Sequence, residues 1–199
     1  MIKAYLCDFE DSFTYNIYSE LLELDFIDKI EIVEKEGIAV FFSELAKQDS
    51  HSQVLVVLGP GPGHPKQYSF LMENLKQALG KKNIILFGIC LGHQLISLSL
   101  GFQIKSAKTP LHGKVEHIKL APILAKNLGL ASDLYVQRYN SLVPIYHDKH
   151  CERVEHFYQI NNELLIVMGE NFLAYQFHPE SVGTTCPSSF FKTLKRFLI

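Results

Sequence analysis

The chain has 199 residues, 47% of them hydrophobic and 20% charged, with a formal net charge of −2. That length suits one sizeable domain with a full core, and a near-neutral balance without a basic block leaves nucleic acid no electrostatic footprint. The longest apolar runs, VLVVL and IILF, are far too short to span a bilayer, and the start MIKAYLCDFEDS runs from an apolar stretch into acids, unlike a secretory signal.

In chain order, IKAYLC (2–7) predicts a first strand. Residues 12–24 place Phe13, Ile17, Leu21, Leu22 and Leu24 at roughly helical spacing, with Asp11 or Ser12 available as N-cap. KIEIV (29–33) alternates as a strand does, and 41–47 predicts a short helix. QVLVVL (53–58) is a continuous apolar run that suits a strand buried on both faces. GPGPGHP (59–65) has to be a loop. Residues 67–80 predict a helix closing on Gly80, NIILF (83–87) another buried strand, and 93–100 another helix. Strand and helix thus alternate over the first hundred residues. This predicts an α/β fold with an open, mostly parallel central sheet and helices on both faces. After Gly101 the strand candidates GKVEHIKL, DLYVQRY, VEHFYQI, ELLIVMG and FLAYQF follow with few helices between them. They predict a mixed or antiparallel extension, and SSFFKTLKRFL (188–198) a closing amphipathic helix. No repeat, linker or low-complexity tract divides the chain, so residues 1–199 read as a single domain.

The four cysteines, Cys7, Cys90, Cys151 and Cys186, include no C-x-x-C pair. Neither a zinc site nor a thioredoxin-like motif is indicated, and free thiols in a reducing, cytoplasmic compartment are expected. One thiol stands out. Gly88-Ile89-Cys90-Leu91-Gly92 follows a buried strand and precedes a helix. Ligands of open parallel sheets sit at the carboxyl ends of strands, and the G-x-S-x-G elbow of serine hydrolases presents its nucleophile there. A cysteine so placed faces a helix N-terminus that favours the thiolate. The Leu91 N–H would point into the same pocket and could bind an oxyanion. The pattern alone leaves a buried, inert cysteine equally open.

A thiol nucleophile needs a proton shuttle, and AYQFHPES (174–181) ends an apolar strand on His178, with Glu180 two residues on. Cys90, His178 and Glu180 would form nucleophile, base and orienting carboxylate. His93 is the rival base, but its helix position points it along the helix, which suits a structural or supporting role. His51, His64, His112, His117, His147, His150 and His156 show no metal-ligand spacing and read as surface residues.

Together these residues resemble the class I glutamine amidotransferases, most closely the small subunit shared by anthranilate synthase and aminodeoxychorismate synthase. DFEDSFTYN (8–16) is similar to that subfamily's D-N-Y-D-S-F-T-Y-N, GPGPGHP to S-P-G-P-G-x-P, GICLGHQ (88–94) to the nucleophile signature and QFHPES (176–181) to the base motif. The resemblance spans nearly the whole chain and implies a flavodoxin-like fold. It implies that Cys90 attacks the glutamine carboxamide, that His178 passes a proton to the leaving ammonia, and that Glu180 holds the imidazole. Gly61 and Leu91 resemble the backbone donors of the oxyanion hole. Gly61 and Gly63 suit close backbone approach to the ligand. Gln94 resembles the residue that holds the amino-acid end of the substrate, and Ser141 and Leu142 the segment that contacts it by backbone. HGK (112–114) and DSFT (11–14) match motifs near a partner interface. No metal or organic cofactor is implied for this chain, and magnesium would belong to the chorismate-binding partner.

Departures occur at Gly59, where serine is usual, and at Asn140, where histidine is common. They occur also at EIVEKE (31–36), which lacks arginine-asparagine-aspartate, and at VGTTCPSS (182–189). None touches the three candidate catalytic residues. A free-standing cysteine amidase of the same fold and a non-catalytic subunit remain the alternatives. The sequence leaves anthranilate and aminodeoxychorismate synthesis equally open.

Overall fold

The computed structural model describes residues 1–47, 52–146 and 151–198. Its first half runs β1 (Ile2–Cys7), α1 (Thr14–Leu22), β2 (Ile27–Val33), α2 (Ile38–Lys47), β3 (Val54–Leu58), a 3₁₀ turn (Pro65–Leu71) leading into α3 (Met72–Leu79), β4 (Ile84–Ile89) and α4 (Leu91–Ser99). Then come β5 (Gln103–Ser106), β6 (Lys114–Lys119), α5 (Pro122–Leu128), β7 (Asp133–Arg138), β8 (Leu142–Ile145), β9 (His156–Ile160), β10 (Glu163–Met168), β11 (Phe172–Tyr175), α6 (Pro187–Lys192) and a final 3₁₀ turn (Thr193–Phe197).

The main sheet has the order β2-β1-β3-β4-β11-β10-β8-β5, with β9 also paired to β10. β2, β1, β3, β4 and β11 are parallel neighbours; the pairings of β10 with β11, β9 and β8, and of β5 with β8, are antiparallel. Strand side chains alternate between faces, and the apolar runs divide accordingly. Leu55 and Val57 of β3 and Ile85, Phe87 and Ile89 of β4 join one core with Ile17 and Leu21 of α1 and Phe190 and Phe191 of α6. Val56, Leu58, Ile84 and Leu86 join the other with Phe42 of α2, Leu75 of α3 and Leu95 of α4. The unbroken hydrophobicity of β3 and β4 is what a strand covered on both faces requires.

Several local expectations change. α1 begins at Thr14, and neither Asp11 nor Ser12 is its N-cap: Phe13 occupies that position without a side-chain cap. The acids order the preceding loop instead, Asp11 accepting from the Phe13 N–H and Asp8 from the Glu10 N–H and the Thr14 hydroxyl. The helix predicted over 67–80 is broken in two, because Tyr68 leaves helical geometry at φ −103, ψ 21. Gly80 does cap α3, but with right-handed φ −84. The strands predicted after Gly101 do not all extend the main sheet. β6 and β7 pair with each other as a separate two-stranded sheet, and β11 enters the parallel part beside β4. β5, β8 and α5 are additional elements. His51, His147 and His150 lie outside the described residues. All four cysteines are free. Among the described residues no helix is long and apolar enough to cross a membrane, and no group of His, Cys, Asp or Glu could hold a metal ion.

Candidate active site

Cys90 sits between the last residue of β4 and the first of α4 with φ 52 and ψ −100. A β-carbon-bearing residue in that region is strained and persists only where its surroundings over-determine it. Here the Cys90 N–H donates to the Tyr175 carbonyl of β11 at 2.8 Å, and the Gly92 N–H to the Gly59 carbonyl at 3.2 Å. The turn lies so close on the end of β3 that a β-carbon at position 92 would stand 2.0 Å from the Leu58 oxygen. Gly61 is equally confined, since a β-carbon there would meet Phe9 at 2.5 Å and Leu91 at 2.8 Å. Only glycine lets the 59–65 loop and the cysteine turn share this space.

Between them opens a cleft of about 170 Å³. Its walls are Gly61, Pro62 and Gly63 on one side, Cys90, Leu91 and Gln94 on another, and residues 139–142 on the third. The six residues singled out for substrate from the sequence, Gly61, Gly63, Leu91, Gln94, Ser141 and Leu142, therefore border one cavity with the thiol.

His178 arrives from the neighbouring strand. The chain continues extended past β11, so Tyr175 and Phe177 point into one core, their rings stacked at 4.9 Å, and residues 176 and 178 face the other way. The imidazole is 2% exposed. Its Nδ1 pairs with Glu180 Oε1 at 2.7 Å, which orients the ring; Nε2 has no hydrogen-bond partner by ordinary geometry. Phe13 and Tyr139 flank the ring at centroid distances of 4.9 and 5.0 Å. The main chain of His178 is held at both ends. Its N–H donates to the Gln137 carbonyl at 2.9 Å, and its carbonyl accepts from the Thr184 hydroxyl at 2.7 Å.

Burial by itself lowers the basicity of His178, but the nearness of Cys90 and the pairing with Glu180 outweigh it and raise the imidazole from 6.5 to about 10. A raised folded value stabilises the protein fully below the unfolded pKa and progressively less as pH rises through the folded one. Stability against denaturant is therefore expected to fall between pH 6.5 and about 10 in the wild type. In His178→Gln that alkaline slope should flatten; an identical slope in both proteins would show that the pairing contributes nothing. His93 behaves oppositely. It is fully buried in α4, and burial lowers it to about 3.

Several residues around the site escaped the sequence reading. Gln176 is fully buried and donates from Nε2 to the Cys90 sulfur at 3.8 Å. Its signal was available, as a polar residue two positions before His178 on the same face of an apolar strand. Phe13, expected on the apolar side of the first helix and in an interface motif, packs its ring against the imidazole. Arg138, 2% exposed, pairs with Glu116 at 2.7 Å and Glu163 at 3.1 Å, and its Nε donates to Asn140 Oδ1 at 3.0 Å. Asn140 in turn donates to the Leu142 carbonyl at 2.9 Å, so the residue that departs from histidine ties the cleft wall to a buried cation. In the divergent 182–189 stretch, Thr184 also accepts from the Gln137 N–H at 3.0 Å, and the Thr185 hydroxyl from the Tyr135 N–H at 3.1 Å, fastening the segment to β7. A side chain at Gly59 would approach the Cys7 carbonyl at 3.0 Å. Nothing in the structure explains the departure at 31–36.

A mostly parallel α/β sheet carrying a cysteine on its central strand–helix turn, with a histidine–carboxylate pair just beyond the adjacent strand, has the form of an enzyme with a thiol nucleophile. The chain belongs to the class-I glutamine amidotransferases, whose family model matches residues 5–196. It is 34% identical to anthranilate synthase component 2 of Helicobacter pylori over 92% of this chain and 91% of that protein. It is 33% identical to anthranilate synthase component 2 of Saccharolobus solfataricus over 97% and 96%. Among solved structures, a putative GMP synthase subunit from Thermoplasma acidophilum superposes with a TM-score of 0.75 at 23% identity, over 99% of this chain and 94% of that one, a likeness of fold.

Proposed function

We propose that this chain is a single glutaminase domain, working in the cytoplasm as a subunit that hydrolyses L-glutamine and passes the ammonia to a chorismate-using synthase subunit. The observation that carries this reading is that Cys90 borders one cleft with the six candidate substrate residues, while the His178–Glu180 pair packs behind the Tyr139 wall of that cleft. The names of the relatives, anthranilate synthase component 2, support a synthase partner.

In this mechanism the Cys90 sulfur attacks the side-chain carbonyl carbon of glutamine. The oxyanion that forms is met by the Gly61 and Leu91 N–H groups. The C–N bond breaks as His178 gives its proton to the leaving nitrogen, and ammonia departs from a thioester. Water, giving its proton to His178, then displaces the sulfur and releases glutamate. Glu180 keeps the imidazole turned toward the sulfur. Gln94, Ser141 and Leu142 hold the α-amino and α-carboxyl end. No metal or organic cofactor takes part in these steps.

The test mixes this chain with an anthranilate synthase large subunit or an aminodeoxychorismate synthase large subunit, chorismate, and either glutamine or ammonia. Glutamine-dependent product with one large subunit would assign the pathway, and product with both would mean a shared subunit. Product from neither, while both large subunits work on free ammonia, would sink the chorismate assignment and favour a free-standing amidase.

A further inference from the structure

The buried amides beside Cys90 form a chain whose direction is forced by chemistry. A main-chain carbonyl only accepts hydrogen bonds and a guanidinium only donates them. Arg138 Nε faces Asn140 at 3.0 Å, so the atom it meets is oxygen, and the Asn140 nitrogen donates to the Leu142 carbonyl at 2.9 Å. The same carbonyl lies 2.9 Å from the Gln94 amide, which must present its nitrogen there. That nitrogen is also 3.2 Å from Gln176, which must answer with its oxygen. The Gln176 nitrogen is therefore turned to the Cys90 sulfur, at 3.8 Å. Every link is fixed by its neighbour, from an ion-paired arginine to the candidate nucleophile. Both N–H groups of Gln94 are committed, so it has only its carbonyl oxygen to offer to a ligand in the cleft. An acceptor there suits the α-ammonium of an amino acid.

We infer that Gln176 is a positioning residue for glutamine hydrolysis: its N–H holds the Cys90 sulfur, and its carbonyl fixes the orientation of the Gln94 amide, coupling the cleft wall at 140–142 to the nucleophile. The inference rests on the glutaminase reading above. It makes Gln176 act at two places at once, on the sulfur that reacts and on the group that binds the substrate. Its position is fully buried, so it touches no solvent and its hydrogen bonds meet no competition from water.

The test is Gln176→Met, which keeps the length and volume of the side chain without its donor or acceptor. In the complex that supports turnover, kcat for glutamine is expected to fall about tenfold and KM to rise about threefold or more, the scale of losing one buried hydrogen bond at each end. A role in packing alone behaves differently, because a fraction of unfolded enzyme lowers kcat and leaves KM unchanged. Phe177→Leu, on the opposite face of the same segment, serves as that control and should keep KM at the wild-type value. If Gln176→Met does not fold, Gln176→Asn keeps an amide in the core but withdraws it by one methylene from the sulfur, and the same joint change in kcat and KM is expected. Unchanged KM in a folded Gln176 variant would overturn the inference, while a Cys90→Ala protein that still used glutamine would overturn the glutaminase reading and the relay with it.

Discussion

Replacing Cys90 by alanine is expected to lower glutamine-dependent product formation at least about 10⁴-fold, the scale seen when a covalent nucleophile is removed. Ammonia-dependent synthesis by the same complex should persist. The reason is local. Residue 90 borders the cleft at the end of β4, and its main chain is held by the Tyr175 carbonyl and by the packing of Gly92 on Leu58. Alanine has the same β-carbon as cysteine, so at φ 52 it carries the same backbone strain and the turn survives. What disappears is the sulfur proposed to form the thioester. Measuring both nitrogen sources in one preparation separates lost chemistry from lost folding. Glutamine-dependent turnover retained within tenfold would remove Cys90 from the mechanism.

The second large effect concerns stability. Arg138→Met is expected to cost about 3–5 kcal/mol, the range for removing one partner of a buried ion pair. Arg138 is 2% exposed, and the side chain of Glu163 is 9% exposed. Without the guanidinium, the Glu163 carboxylate keeps only the Lys108 N–H at 2.7 Å, and its charge is left uncompensated. Asn140 loses its donor as well, so the wall at 140–142 loosens and the KM for glutamine should rise. Urea titration reads the first effect and initial rates the second. Arg138→Met/Glu163→Gln should recover part of the stability, because the unpaired charge is gone. A loss below about 1 kcal/mol in the single variant would show that the pair is well solvated after all.

The divergent 182–189 stretch shows how a different sequence can keep a geometry. Val182 is almost fully exposed, yet Thr184 is buried and ties the His178 carbonyl to β7. Small hydroxyl residues satisfy main-chain donors and acceptors that a loop would otherwise leave bare, which accounts for tolerance of a different motif here.

Much of the fold was legible because it follows from local rules. Apolar runs at 53–58 and 83–87 announced doubly covered strands, helical spacing announced the helices between them, and the glycines of GPGPG and GICLG announced tight approach. Cys90 and His178 stood out because each follows an apolar strand run, and Glu180 because it comes two residues after His178. The misjudged parts are those in which a distant partner decides. Asp11 looked like a helix cap but orders a loop. FLAYQF was expected in a mixed or antiparallel extension, and β11 joins the two parts, parallel to β4 and antiparallel to β10.

The residues by themselves determined which segments extend and which coil, and marked the candidate site side chains, since propensity, period and turn stereochemistry act over a few neighbours. Tertiary structure alone decided that β11 sits beside β4, bringing His178 to Cys90, and that Arg138, Asn140, Gln94 and Gln176 join into one polar chain. Strand order and buried hydrogen-bond partners depend on contacts between residues dozens of positions apart. No local pattern encodes them, because many pairings satisfy the same propensities and only the packed core selects one.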